Sequence, residues 1–161
     1  MHDEGHPAPA FACDAMLGGL TRWLRAAGYD AHFEGGIEDA QLVDLARRTR
    51  RILLSSDRML FERREITTRQ VEALYIPQQL SKTEQLAFAL MMYNLPRREP
   101  RCMACGGTLQ EVPKHRVAGE APPLAFRNCE RFWRCVRCGR LLWRGTHWNH
   151  IDRRLAEVAQ E

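Results

Sequence analysis

Residues 11–28, FACDAMLGGLTRWLRAAG, set the pattern on which the first half of the chain is built. Phe11–Cys13 is a short apolar run that ends at Asp14, which is typical of a buried strand. Apolar side chains at positions 17, 20, 24 and 27 then follow with helical spacing. Gly28 stands where many helices end on a left-handed residue. The segment therefore predicts one strand–helix unit.

Three more strand–helix units are predicted after the first. Strands are expected at 29–33, 52–54 and 71–76, and the run at 52–54 is fully apolar, as in a central parallel strand. Helices are expected after an N-cap at Asp39, at 58–65 as a short helix or turn, and from a capping box formed by Ser81 and Glu84. The alternation predicts an α/β fold, a parallel sheet flanked by helices on both faces.

Composition and the positions of prolines predict how the chain is divided into domains. Its 161 residues are 45% hydrophobic and 27% charged, which excludes a collagen-like or wholly disordered protein. We expect a loose N-terminal segment at 1–10, an α/β domain at 11–96, a second module at 97–150 after a proline-containing linker, and a helix or tail at 151–161. The lack of an apolar run near 20 residues and of a basic leader predicts a cytoplasmic protein with no membrane partner.

Charge is distributed unevenly along the sequence. Residues 1–96 carry 11 Lys and Arg against 13 Asp and Glu, whereas residues 97–161 carry 13 against 7. A basic module of this kind indicates a polyanionic partner such as a nucleic acid. A solvated basic surface with no partner would give the same count.

Four cysteines predict a zinc site in the basic module. Cys102 with Cys105 and Cys135 with Cys138 form two C-x-x-C pairs, 29 residues apart, and a glycine follows each pair. Two pairs on tight turns supply the four thiolates of a tetrahedral zinc site, and four protein ligands make that zinc structural. Two disulfides or a redox pair are the alternatives, and structural disulfides are rare in the cytosol. Cys129 lacks a partner at this spacing.

Arginines and aromatic residues alternate around the cysteine pairs. This mixture fits contact with RNA through phosphate pairing and base stacking. Packing of a small module against the first domain is the alternative for the tryptophans. The residues are Arg101, Arg131, Phe132, Trp133, Arg134, Arg137, Arg140, Trp143, Arg144 and Trp148.

Three aspartates are predicted to meet at the carboxyl edge of the parallel sheet. Asp14 and Asp57 follow two strands, and Asp39 stands at the start of a helix that enters from the same edge. Converging carboxylates repel one another unless a cation such as Mg²⁺ or Mn²⁺ lies among them. Such ions promote displacement at phosphorus. Each aspartate alone also fits a helix cap or a turn. A phospho-acceptor signalling domain is another arrangement with acids at this edge.

Three segments, at 14–30, 51–58 and 132–148, carry a resemblance that covers about residues 11–150. Together they resemble the PIN-like RNase domain with a C-terminal zinc ribbon, a family named for the C-terminal part of the Mutator-seven exonuclease. The resemblance implies a metal-dependent ribonuclease acting on RNA, with an α/β PIN-like domain and an appended zinc ribbon. It also implies a possible homodimer, since PIN-like domains often pair.

The resemblance also implies roles for individual residues. Asp14, Asp39 and Asp57 would hold Mg²⁺ or Mn²⁺, and Glu38 is an alternative to Asp39 as the second ligand. Ser55 takes the place of the threonine in the family's Thr-x-Asp pattern and would orient a carboxylate or a water.

Arg22 and Arg58 match basic positions that would contact phosphate, and the four cysteines match the ribbon. Gly19 departs from the family, which commonly has a polar or basic residue there. The competing hypothesis is a non-catalytic RNA- or DNA-binding module, in which the ribbon carries the function and the aspartates are caps.

Overall fold

A computed structural model describes residues 7–159 and contains a four-stranded parallel sheet and a three-stranded antiparallel sheet. Residues 1–6 of the predicted loose segment and residues 160–161 of the predicted tail lie outside the described part. The first half contains, in order, β1 (Phe11–Cys13), α1 (Gly18–Ala26), β2 (Ala31–Phe33), α2 (Asp39–Thr49), β3 (Ile52–Ser55), α3 (Arg64–Thr67), β4 (Ala73–Tyr75) and α4 (Lys82–Met92). The second half contains β5 (Leu109–Val112), α5 (Pro123–Asn128), β6 (Phe132–Cys135), β7 (Leu141–Trp143) and α6 (Thr146–Ala159).

The first sheet has the strand order β2-β1-β3-β4, with every neighbouring pair parallel, which confirms the predicted α/β fold. Two of its strands are shorter than predicted because their flanking amides bond elsewhere. The amide of Tyr29 donates to the Leu24 carbonyl at the end of α1, and the amide of Val71 donates to the Glu65 carbonyl. The remaining residues form the ladder.

Alternating strand residues pack on opposite faces of the parallel sheet. Phe11, Cys13 and Leu54 are buried in the core that also contains α1 and α4 residues. Ala12 and Leu53 are buried on the other face, against α2. The fully apolar strands follow from this arrangement, since both faces of the sheet are covered.

Helix starts differ from the prediction at one position. The capping box of α4 is confirmed, because the Ser81 amide donates to Glu84 and the Glu84 amide donates to the Ser81 hydroxyl. The N-cap of α2, however, is Glu38 and not Asp39. Glu38 forms a capping box with Gln41, so Asp39 becomes the first residue of the helix and its carboxylate is free of that role.

Residues 101–144, called the ribbon here, contain the antiparallel sheet, which has the order β5-β6-β7. Phe132 pairs with Val112 on one side and with Trp143 on the other. It is buried in a small separate core with Val117 and Ala121. The ribbon thus has an apolar centre of its own beside the four cysteines.

The chain returns to the α/β part after the ribbon. Helix α6 starts at Thr146, and its Ile151 and Leu155 are buried in the core that contains α1 and α4. The division into domains at residues 96 and 150 stays a prediction. Within residues 7–159, no helix is both long enough and apolar enough to cross a membrane.

Gly28 provides a test of the contact between α1 and the linker. Its φ is +100°, and a Cβ there would lie 2.5 Å from Cβ of Arg98 and 2.7 Å from the Glu99 carbonyl oxygen. We expect Gly28→Ala to lower the free energy of unfolding by about 2–4 kcal/mol, since strain and a backbone clash add.

Gly36→Ala is the matched control, because Gly36 has a φ of +76° with no atom within 4 Å of the added Cβ. Gly36→Ala adds backbone strain but no clash, so it should lower the free energy of unfolding by only about 1 kcal/mol. Urea unfolding of both variants measures the difference. Equal losses would contradict the close packing of the linker.

Candidate active site and zinc centre

Asp14 lies at the carboxyl end of β1 and is only 6% exposed. Its amide donates to the Leu54 carbonyl of the neighbouring strand at 3.0 Å. Its Oδ1 accepts a hydrogen bond from the Ala15 amide at 2.7 Å, and its Oδ2 accepts one from the Ser55 hydroxyl at 2.6 Å. The carboxylate is therefore held in one orientation from both sides.

Ser55 connects two of the predicted metal ligands. While its hydroxyl donates to Asp14, its Oγ accepts the amide N–H of Asp57 at 3.0 Å. Asp57 in turn accepts the Met59 amide on Oδ1 at 3.0 Å. Ser55 is fully buried, so this chain of bonds fixes Asp14 relative to the turn that carries Asp57.

Asp39, at the start of α2, lies close enough to the other two aspartates to interact with them electrostatically. Partial burial raises the pKa of its carboxyl, and the charges of Asp14 and Asp57 raise it further, while Arg63 opposes them. The three aspartates are thus electrostatic neighbours at the carboxyl edge. The three carboxylates are not tightly converged. Among the His, Cys, Asp and Glu side chains of residues 7–159, only the four cysteines form a group of three or more whose ligand atoms all lie within 4.8 Å of one another.

The capping roles and the metal-ligand roles are compatible here. Asp14 and Asp57 do cap short 3-10 turns, at Ala15–Leu17 and Arg58–Glu62. Each cap occupies one lone pair, and a carboxylate has about four acceptor sites. Within the described residues, Oδ2 of Asp57 accepts no hydrogen bond. Oxygen donors of this kind, in mutual repulsion, fit Mg²⁺ or Mn²⁺.

Arg58 and Arg22 lie in two different depressions. The Arg58 guanidinium carbon is 5.4 Å from the centre of the Tyr75 ring, and both residues line an open pocket with Asp57. Arg22, on α1, lines a groove shared with the ribbon. Arg58 is therefore placed directly beside one of the aspartates.

Sequence reasoning missed three residues near this edge. Arg63 and Tyr75 carry no motif and are placed by the turn after β3 and by β4. Lys82 is the first residue of α4, and a Cβ on Gly19 would lie 2.6 Å from its Cδ and Cε. The capping box was the available signal, because it places Lys82 at the start of a helix that follows β4.

The four cysteines converge as predicted for a zinc site. Their sulfur atoms all lie within 4.8 Å of one another, with Cys102 Sγ 3.8 Å from Cys138 Sγ and Cys105 Sγ 3.4 Å from Cys135 Sγ. A tetrahedral site with Zn–S bonds of about 2.3 Å has sulfur atoms about 3.8 Å apart. The donor set and its size therefore fit zinc.

Backbone amides point at the sulfur atoms. The Gly107 amide donates to Cys105 at 3.3 Å, and the Arg137 amide donates to Cys135 at 3.4 Å. Burial raises the pKa of Cys135, but hydrogen bonds from the amides of Cys138 and Arg137 and with the thiols of Cys105 and Cys138 together lower it to about 6, whereas burial raises the pKa of Cys105 to about 12. Such donors favour the thiolate form that a metal requires.

The tryptophans of the ribbon region have three different environments. Trp148 packs against the large core that contains α1 and α4, and Trp143 packs against the ribbon core. Trp133 lies beneath two guanidinium groups, at 4.5 Å from Arg144 and 5.1 Å from Arg131. Packing therefore accounts for two of the three.

Removing one thiol tests the zinc centre. We expect about one zinc per chain, and Cys135→Ser should abolish zinc retention and unfold the ribbon, since structural zinc contributes on the order of 10 kcal/mol to such folds. Metal analysis and tryptophan fluorescence measure the two effects. Cys129→Ser is the control, because Cys129 lies outside the converged group. Equal zinc loss in the control would refute the ligand set.

Comparison with known proteins agrees with this arrangement of sheet edge and ribbon. The family model described as the Mut7-C RNAse domain matches residues 9–155, from the segment before β1 into α6. Neither the curated proteins nor the solved structures gave a match. Since the family model covers most of the chain, including the three aspartates and the four cysteines, this protein belongs to the Mut7-C RNAse domain family.

Proposed function

We propose that this protein hydrolyses RNA phosphodiester bonds with the help of Mg²⁺ or Mn²⁺ bound at Asp14, Asp39 and Asp57. The observation that carries the proposal is the bonded chain from Asp14 through Ser55 to the Asp57 turn. Asp39 interacts electrostatically with both ends of that chain, since its pKa is raised first by partial burial and then by the charges of Asp14 and Asp57. A divalent cation relieves this repulsion. Membership of an RNase family supports RNA as the substrate.

Each residue has a defined task in the proposed reaction. A divalent metal bound at the aspartates would act as a Lewis acid toward a phosphoryl oxygen and would lower the pKa of water. Asp14 and Asp57 hold it, with their positions fixed by the hydroxyl and the amide that meet at Ser55. Asp39 supplies the second ligand position. Glu38 is the weaker candidate for it, because its side chain is exposed, whereas Asp39 is partly buried and interacts electrostatically with both Asp14 and Asp57.

Positive charge beside the aspartates would bind the phosphate groups. Arg58 lines the same open pocket as Asp57, and its stacking on Tyr75 limits the conformations of its side chain. Arginine binds phosphate through two parallel N–H donors. We assign Arg58 to the phosphate nearest the metal and Arg22 to a more distant one.

A non-catalytic nucleic-acid-binding module is the second candidate. It is favoured by the caps that Asp14 and Asp57 form and by the basic ribbon. In that case RNA binding would depend on zinc and salt and be indifferent to Mg²⁺. A homodimer and a cytoplasmic location also stay predictions from the sequence.

Replacing the aspartates separates the two candidates. We expect zinc-loaded protein to cleave labelled single-stranded RNA only with added Mn²⁺ or Mg²⁺, and Asp14→Asn or Asp57→Asn to reduce the rate at least about 100-fold. RNA binding should persist or strengthen, because a negative charge is removed. Gel analysis of cleavage and anisotropy of binding measure these effects.

Asp44→Asn is the matched control for this experiment. Asp44 is an exposed aspartate on α2 that pairs with Arg47 and Arg48 and is not one of the predicted ligands. Its cleavage rate should equal that of the wild type. Cleavage that survives in Asp57→Asn would indicate a contaminant, and tight binding without cleavage would favour the binding module.

The raised pKa of Asp39 predicts opposite effects on metal affinity and stability. As the pH falls through this pKa, Asp39 takes up a proton, so the Mn²⁺-induced rise in Tm should shrink. In metal-free protein, ionised Asp39 is destabilising above this pKa, and the penalty disappears as the pH falls through it.

Asp39→Asn should therefore stabilise the metal-free protein at neutral pH, by less than about 1 kcal/mol because solvent screens the charges. It should also abolish the Mn²⁺-induced rise in Tm. Thermal unfolding from about pH 8 down to the ordinary aspartate pKa of 3.8, with and without Mn²⁺, tests both effects. An unchanged Mn²⁺ response would remove Asp39 from the ligand set.

A further inference from the structure

We propose that the groove between α1 and the ribbon binds single-stranded RNA and leads it to the aspartate edge. The destination of the strand rests on the function proposed above, whereas the binding itself does not. The groove has a volume of about 520 Å³. One wall comes from α1 and the end of β2, and the other comes from the first cysteine pair and β7. Its lining includes Gly18, Arg22, Phe33, Met103, Arg140 and Leu142.

The groove begins beside the candidate catalytic residues. Phe33 is the last residue of β2 and pairs with Cys13, and Asp14 directly follows Cys13. Gly18 is the first residue of α1, after the short turn that Asp14 caps. A single-stranded RNA that contacts Phe33 and Gly18 therefore lies next to the carboxyl edge of the sheet, where the aspartates are.

The pairing of the ribbon arginines singles out one of them. Five of the six arginines noted in the ribbon sequence are engaged by oxygen atoms: Arg101 by Gly106, Arg131 by Glu111, Arg134 by Glu120, Arg137 by Asp30 and Cys105, and Arg144 by Glu99. Within the described residues, the Arg140 side chain has neither a hydrogen bond nor a carboxylate within 4.0 Å. The same is true of Arg22 across the groove. Two such charges in one groove favour a polyanion.

The apolar lining favours a single strand over a duplex. Phe33, Leu142 and Met103 line the same groove as the two arginines. Single-strand sites combine cations that follow the backbone with aromatic rings on which unpaired bases stack. A duplex offers phosphates but keeps its bases stacked inside, so it would use Arg22 and Arg140 but not Phe33.

Gly18 lets the start of α1 approach the Phe33 ring closely. A Cβ at Gly18 would lie 3.2 Å from Cζ of that ring, which is tighter than an ordinary contact. A larger side chain at position 18 would therefore displace the ring. The ring lies against the backbone of α1 and contributes to the lining of the groove.

Binding measurements on the full, zinc-loaded chain without added Mn²⁺ or Mg²⁺ test the groove. The probes are a labelled single-stranded RNA oligonucleotide and the same sequence annealed as a duplex. Arg140→Gln and Arg22→Gln should each weaken single-strand binding about tenfold. Each should also reduce the slope of log affinity against log salt by about 0.7, the value for one phosphate contact on a single strand.

Arg127→Gln is the matched control. Arg127 is an exposed arginine on α5 that does not line the groove and, within residues 7–159, has no carboxylate partner. The Arg127→Gln substitution removes one positive charge, as Arg140→Gln does, and should leave the affinity for single-stranded RNA nearly unchanged. Phe33→Leu keeps the apolar volume and should weaken single-strand binding several-fold while leaving duplex binding unchanged.

The outcomes separate this proposal from the proposed hydrolysis. Equal effects of Arg127→Gln and Arg140→Gln, or a Phe33→Leu variant that binds the single strand as tightly as wild type, would overturn the groove even if cleavage is observed. Groove-dependent binding in a protein that does not cleave with Mn²⁺ would support the groove and refute the hydrolysis.

Discussion

The guanidinium of Arg25 joins the two parts of the molecule, and the positions of both candidate sites depend on it. Its Nε donates to the Ala31 carbonyl of β2 at 2.9 Å, and its Nη1 donates to the Met103 carbonyl beside the zinc ligands at 3.0 Å. The Arg25 carbonyl also accepts the Arg101 amide at 2.9 Å. Burial lowers the pKa of this side chain, yet arginine stays protonated in proteins, so the bonds persist across the working pH range. One residue of α1 thereby fixes the distance across the groove.

The cysteine cluster and the aspartate edge have opposite electrostatic environments. Amide N–H donors help lower the pKa of Cys135 to about 6, whereas burial raises the pKa of Cys105 to about 12 despite the hydrogen bond from the Gly107 amide, so zinc has to displace the proton of that thiol. The aspartates repel one another, and the hydroxyl of Ser55 holds Asp14 in place against that repulsion. A fully buried serine is suited to this task because its oxygen donates to one neighbour and accepts from another. Zinc bound by the cysteines would therefore add stability, whereas repulsion among the aspartates lowers the stability of the metal-free protein.

Local rules in the sequence accounted for most of the fold, and long-range contacts accounted for what was missed. The alternation of strands and helices, the zinc ligands and the left-handed Gly28 follow from spacing and residue type. The N-cap of α2 was predicted one residue late. Aspartate is the commoner N-cap residue, but here Glu38 is the N-cap and forms a capping box with Gln41. Which ribbon arginines are free was not predictable, since Arg134 is paired with Glu120 and Arg137 with Asp30, residues distant in sequence. The covering of Gly19 by Lys82 likewise depends on how α4 packs on α1.

The ribbon is attached to the α/β part at both of its ends, because α6 returns to the α/β core. The chain leaves beside α1, where the Arg98 amide donates to the Ala27 carbonyl, and comes back where Ile151 and Leu155 are buried. A module held at both ends cannot swing outward about a single hinge. The groove between α1 and the ribbon therefore has a fixed width, so the single strand proposed to bind there would be selected by its thickness as well as by its charge.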